Sequence, residues 1–362
     1  SALTPHGYRP TGVGCRTVEV QNTVLPEYRA GGVKQMRKIE VFNTNYVNRH
    51  ATLFKRKYMR WNFVTPAKFQ LALAASLLVV SAWAQVPEYG PEKGTLVIQG
   101  GGSAEGTGIE ETFVNLAGGL NAKIIIVPTA GGNRTPDGKI RIYEEDKVVA
   151  PWKKLGLTNV HMLHTADPKV ADTEEFAKVL RDAKGVWFDG GRQWNIVDSY
   201  ANTLTLREFH NVLARGGVIG GSSAGATIQG DYLVRGAIAG SEIVMTPEPQ
   251  HEHGFAFLRK SAIDQHINTR NRWDDIIPVI KKYPELLGIG LSEGTAIVVT
   301  GDRFQVIGKW KVAIHDNTHV YQPWEKPYYI LSPGDVYNMK TRKIEKSGTG
   351  VLTPARIKAT TN

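Results

Sequence analysis

Short apolar runs rich in β-branched residues, each stopping at glycine, proline or a small polar cluster, constrain this chain most. Thr95–Gln99 (TLVIQ) runs into Gly100-Gly101-Gly102, and Lys123–Val127 (KIIIV) stops at Pro128. Gly185–Phe188 (GVWF) stops at Asp189-Gly190-Gly191, and Gly217–Gly220 (GVIG) at Gly221-Ser222-Ser223. Asn159–Leu163 is a weaker member of the set. Helical patterns separate these runs, over Ile109–Leu116, Ile142–Leu155, Thr173–Asp182 and Leu204–Ala214. Strands apolar on both faces that alternate with helices predict an α/β fold, a mainly parallel sheet flanked by helices. The Gly-rich and polar clusters then fall at the carboxyl ends of the strands, where such sheets bind ligands. After Tyr283 the texture shifts to short strands and tight turns: Gly288–Leu291, Thr295–Thr300, Arg303–Gly308, Lys311–Ile314, then Tyr328–Leu331 and Asp335–Met339. These predict a C-terminal antiparallel β extension packed on the main sheet.

The charge is unevenly placed. Of 362 residues, 44 are Lys or Arg and 34 Asp or Glu, a net charge of +10. Residues 1–84 hold twelve of the bases and three of the acids, leaving 32 against 31 in residues 85–362. The basic balance therefore belongs to the N-terminal stretch and gives no support to nucleic-acid binding by the folded part. Met59, Arg60 and Lys68 precede the apolar run Phe69–Val80, and Ser81-Ala82-Trp83-Ala84 follows. A basic flank, a dozen apolar residues and a small-x-small site form a signal-peptide pattern, too short for a membrane span of ~20 residues. The expected organisation is an upstream segment 1–58, a signal peptide 59–84 cleaved after Ala84, a catalytic α/β domain 85–300, and residues 301–362 as its β extension with a Thr/Lys-rich tail. Met36 is an alternative start to Met59. The expected product is exported, periplasmic or extracellular, with no stable membrane association after cleavage. The only cysteine, Cys15, lies upstream of the cleavage site, so no disulfide is expected.

The strongest chemical signal is Gly217–Ala226 (GVIGGSSAGA), an apolar strand running into a small-residue turn and a helix-like TIQGDYLV. A Gly-x-Ser-x-Gly pattern there places Ser223 at the apex of a strand-to-helix elbow. The helix that follows aims free N–H groups, beginning at Ala224, at the same point. The pattern also suits a Gly/Ser-rich turn or a phosphate-binding turn. A serine nucleophile needs a base, and among ten histidines His266 stands out, surrounded by Asp264, Gln265, Asn268, Arg270 and Arg272. Glu293, bracketed by small residues after another strand, is the candidate to orient its imidazole. The carboxylates of a substrate suit Arg270 and Arg272, since guanidinium binds them bidentately.

Four motifs in order carry a resemblance: WFDGGRQ ending at Gln193, GSSAGA around Ser223, GFAFL followed by DQH with Arg270 and Arg272, and GIGLSEGTA around Glu293. The chain resembles the cyanophycinase and aspartyl-dipeptidase (peptidase E-like) group of serine peptidases, with a class I glutamine-amidotransferase-like, flavodoxin-like fold. The resemblance implies Ser223 as nucleophile, His266 as general base and Glu293 as orienting acid. It implies that Gln193, Asp264, Gln265, Arg270 and Arg272 shape the substrate pocket, with Asp264 able to meet a substrate guanidinium. The oxyanion is expected between the Ala224 N–H and an N–H of the turn formed by Gly190, Gly191 and Arg192. The implied activity is exopeptidase cleavage of cyanophycin, a polymer of aspartate carrying arginine side chains, or of a related polymer, to β-Asp-Arg dipeptides. A homodimer is implied, and no cofactor or metal.

Four positions depart from the family pattern. Asp275 stands where an arginine is usual, Ile267 replaces an aromatic, and Arg192 and Ser292 replace acids. They leave the triad untouched and place the difference at the substrate, where a different acidic or cationic dipeptide unit is expected to fit. An aspartyl dipeptidase and a non-catalytic binding protein on the same fold are the alternatives; a glutaminase would need a cysteine at the elbow. The GGGSAEG turn lacks dinucleotide-fingerprint spacing and is expected to line the same cleft. His251 and His253 make a weak metal pair. The rate is expected to rise near ~6.5, the value of an ordinary imidazole.

Overall fold

The computed structural model describes residues 86–135 and 137–348. The upstream segment, the signal-peptide pattern and the tail beyond Gly348 lie outside the described residues. Five strands form the parallel core: β1 (Thr95–Gln99), β2 (Ile124–Val127), β3 (Val160–Met162), β4 (Gly185–Phe188) and β5 (Val218–Ser222), in the spatial order β1-β5-β4-β2-β3. Between β1 and β2 lies α1 (Ile109–Leu116), and between β2 and β3 lies α2 (Glu145–Lys154). The short helices α3 (Pro168–Ala171) and α4 (Glu174–Ala177) precede β4, and α5 (Gln193–Tyr200) and α6 (Leu204–Ala214) precede β5. Consecutive strand residues serve opposite faces. Val97, Ile124, Ile126 and Trp187 pack with Phe113 of α1 and Trp152 of α2. Leu96, Ile98, Ile125 and Phe188 pack with Tyr200 and Phe209 of α5 and α6. A sheet covered on both faces needs the unbroken apolar strands that the sequence contains.

The remaining elements divide between two sheets. After α7 (Ala224–Thr227) come β6 (Ser261–Gln265), α8 (Ile277–Lys282), β7 (Leu287–Leu291), β8 (Thr295–Thr300), β9 (Arg303–Gly308), β10 (Val312–Asp316), β11 (Tyr329–Leu331), β12 (Val336–Asn338) and β13 (Lys343–Lys346). Strands β8, β9, β12 and β13 extend the main sheet past β1 to nine strands, antiparallel throughout. Strands β11, β10, β7 and β6 form a second sheet of four, in which β6 and β7 are parallel. The β extension is therefore not one layer: after β7 consecutive pairs of strands go by turns to the main sheet (β8 and β9), the second sheet (β10 and β11) and the main sheet again (β12 and β13). The β8–β9 hairpin crosses position 300, so residues after it continue a sheet begun upstream. Among the described residues no helix is long and apolar enough to cross a membrane.

Candidate active site

The site lies where the carboxyl ends of β1, β4 and β5 meet those of β6 and β7 from the second sheet. Ser223 follows β5 directly, with φ 57° and ψ −113°. This is an uncommon conformation for a non-glycine residue, held only when its surroundings over-determine it. Here the Ser223 N–H donates to the Gln99 carbonyl at 3.1 Å, and its carbonyl accepts from the Ala226 and Thr227 N–H groups at 2.9 and 3.1 Å. The elbow also needs Gly225, where a Cβ would lie 2.0 Å from the Phe188 carbonyl oxygen. Without a side chain there, α7 seats directly on the end of β4.

His266 sits one residue beyond β6, with φ 58° and its N–H donating to Gly100 O at 2.9 Å. Its Nε2 is 2.8 Å from Ser223 Oγ, and its Nδ1 is 2.5 Å from Glu293 Oε1. The carboxylate only accepts, so Nδ1 carries the proton and Nε2 is free to accept from the serine hydroxyl. Glu293 is fixed in turn by Thr269, whose Oγ1 donates to Oε1 at 2.9 Å, and by Asn268, whose Oδ1 accepts from the Glu293 N–H at 2.9 Å. The glycine turn after β1 supports the imidazole. Gly101, at φ 99°, passes so close that a Cβ would lie 2.3 Å from the His266 ring.

Electrostatics follow from this enclosure. Burial pushes His266 below the ordinary imidazole value, with Arg270 adding to the effect, and the Glu293 hydrogen bond acts in the opposite sense. Burial would raise the Glu293 carboxyl, but hydrogen bonds from His266 and Thr269 outweigh it and hold the group below its usual range. Asp189, next to Gly190, is pushed up to about 7, chiefly by desolvation and then by Glu110. Sequence reading attached no role to Asp189.

The expected oxyanion donors separate. The Arg192 N–H donates to Ala130 O at 2.7 Å, so it has no capacity for a substrate oxygen. The Gly191 and Ala224 N–H groups have no acceptor among the described residues. A Cβ on the adjoining Gly190 would lie 3.3 Å from Ser223 Cβ, which places this turn against the serine.

The expected substrate residues also divide. Gln265 is buried and its Oε1 has no partner. Arg272 is 4% exposed and its Nη1 has no partner. Arg270 is exposed beside them. Buried polar atoms without partners are rare and mark places where a ligand can complete the hydrogen bonding. Gln193 is buried, its Nε2 donating to Val234 O at 2.6 Å. Asp264 does not face the cleft as expected. It is 0% exposed, and Arg235 grips both its oxygens, at 2.9 and 3.0 Å. Asp275 pairs with the same guanidinium, so this acid answers an internal cation. Sequence reading missed Arg235, although a lone charge in the apolar run YLVR was a sign of burial in a pair. His251 pairs with Asp198 at 2.7 Å, and no group of three or more metal-binding side chains converges among the described residues. A cavity of about 610 Å³ lined by Pro91, His210, Phe257 and Arg259 does not include the serine, histidine or glutamate.

Residues 96–307 match the model of Peptidase family S51. A cyanophycinase of Synechococcus elongatus is 29% identical over 276 residues, 71% of this chain and 83% of that protein. One of Geminocystis herdmanii is 28% identical over 253 residues, 66% of this chain and 90% of that protein. A crystal structure of a peptidase from an acI-B1 Actinobacterium shares the fold. Its TM-score is 0.51 at 23% identity, covering 69% of this chain and 98% of that one.

Proposed function

The chain belongs to peptidase family S51, a serine-type peptidase of the cyanophycinase type, and from that premise we propose an exported exopeptidase that cleaves cyanophycin or a related polymer to β-Asp-Arg dipeptides. The observation that carries the proposal is the relay from Ser223 Oγ through His266 to Glu293, at 2.8 and 2.5 Å. Ser223 attacks the scissile carbonyl while His266 Nε2 takes its proton. Glu293 holds the tautomer and stabilises the imidazolium. The tetrahedral oxyanion lies against the Gly191 and Ala224 N–H groups. His266 then protonates the leaving amine, and water, activated by the same base, releases the acyl group. Arg270 and Arg272 take a substrate carboxylate. Export is supported by the basic and apolar pattern before Gln85; N-terminal sequencing of the protein recovered from the periplasm or medium should begin at Gln85. The enzymatic test is release of β-Asp-Arg from cyanophycin by the purified protein. Ser223→Ala should lower that rate by at least about 10³-fold, and retained turnover would sink the mechanism.

A further inference from the structure

A substrate cation needs a free carboxylate, and the acids around the substrate arginines are not equally free. Glu293 is committed to His266 and Thr269. Asp264 is sealed against Arg235 and also accepts from the Gln265 N–H at 2.9 Å. Asp275 shares the same guanidinium. Glu242 differs from all three: its side chain is 86% exposed, and its Oε1 lies 3.5 Å from Arg272 Nη2. A contact this long is weak and readily exchanged.

Glu242 is nonetheless set in place. Arg235 donates from Nη1 to Ser241 O at 2.5 Å, and its own N–H donates to Val244 O at 2.9 Å. These bonds pin the backbone on both sides of Glu242, and Ser241 Oγ donates to Glu242 Oε1 at 3.1 Å. The Ser241 hydroxyl first, then the charges of Arg272, Arg235 and Arg270, hold Glu242 below the usual carboxylate range. It is therefore ionised at neutral pH. Beside it, the buried Arg272 Nη1 lacks an acceptor.

We infer that Glu242 is the specificity-determining carboxylate of the pocket, binding the cationic side chain of the substrate while Arg272 binds its carboxylate. An anion site and a cation site side by side suit a residue carrying both charges, as arginine or lysine does with a free carboxylate. The inference rests on the peptidase reading for its substrate and is tested by binding, which needs no turnover. In a Ser223→Ala background, calorimetry would compare β-Asp-Arg, β-Asp-Lys and the neutral β-Asp-Leu. Adding Glu242→Gln should lower the affinity ratio of the Arg and Lys peptides to the Leu peptide by about tenfold, the loss of one charge-assisted contact. Glu242→Lys should lower it further. An unchanged ratio in both variants overturns the inference, as does absence of any binding, or a ratio that moves with Asp275→Asn and not with Glu242→Gln. If the ratio falls but the wild-type protein releases nothing from cyanophycin, the Glu242 assignment stands and the proposed reaction fails.

Discussion

His266 is 6% exposed between Ser223 and Glu293, and that enclosure sets the working pH. In the proposed mechanism the base must be neutral to accept the Ser223 proton, so kcat/KM rises as the imidazole deprotonates. Burial lowers its pKa, which moves the rise to lower pH than the ~6.5 of a free imidazole. The expected outcome is an acid-limb midpoint below that value in a pH–kcat/KM profile; a midpoint at or above it contradicts the assigned environment. Motif and order singled out Ser223, His266 and Glu293, which the fold joins in one hydrogen-bonded chain. The state of Asp264 was not. Its pairing with Arg235, 29 residues away, depends on a contact between two segments that no local pattern encodes.

The strand ends act as one unit. The turn Gly100–Gly102 after β1 accepts the His266 N–H at Gly100 and the Gly294 N–H at Gly101, so β1 aligns β6 and β7 with the elbow after β5. Gly101→Ala would thrust a methyl group to within 2.3 Å of the imidazole, at a positive φ that alanine resists. A displacement of about 1 Å at a catalytic group costs on the order of 10²-fold. Steady-state kinetics should show that loss mainly in kcat, while circular dichroism retains the wild-type spectrum; an active Gly101→Ala enzyme would refute the role of this turn. The boundaries of β1, β4, α1 and α6 were legible from the sequence because apolar period and glycine punctuation are local. The distribution of β7 to β12 between two sheets was not, since successive short strands have the same alternation whichever sheet they join.

For the whole molecule, the second sheet carries a pH sensitivity of its own. His315 in β10 is 2% exposed, with Nδ1 unpartnered. Burial lowers it to about 4, although Asp274 and a backbone hydrogen bond at Trp273 oppose the shift. An unfolded chain would titrate this imidazole near ~6.5, so between those values the unfolded state binds the extra proton. Stability should therefore fall as pH drops from about 6.5 to about 4, by roughly 3 kcal/mol. Urea unfolding at pH 7 and pH 4.5 should show this loss in the wild-type protein and a smaller one in His315→Gln; equal pH dependence in both would exclude His315 as the cause.

The amino-acid sequence by itself determined the parallel core, the serine elbow and the order of the chemical motifs. Each follows from short-range physics: β-branched runs extend, glycines permit the turns, and small residues let a helix sit on a strand end. Only the tertiary structure decided which charges remain available. It joined Arg235 to Asp264 and Asp275, committed the Arg192 N–H to Ala130, and left Glu242 exposed beside a buried Arg272. A charge is neutralised by whatever lies within a few ångströms, and that neighbour is chosen by the packing of the two sheets, not by position along the chain.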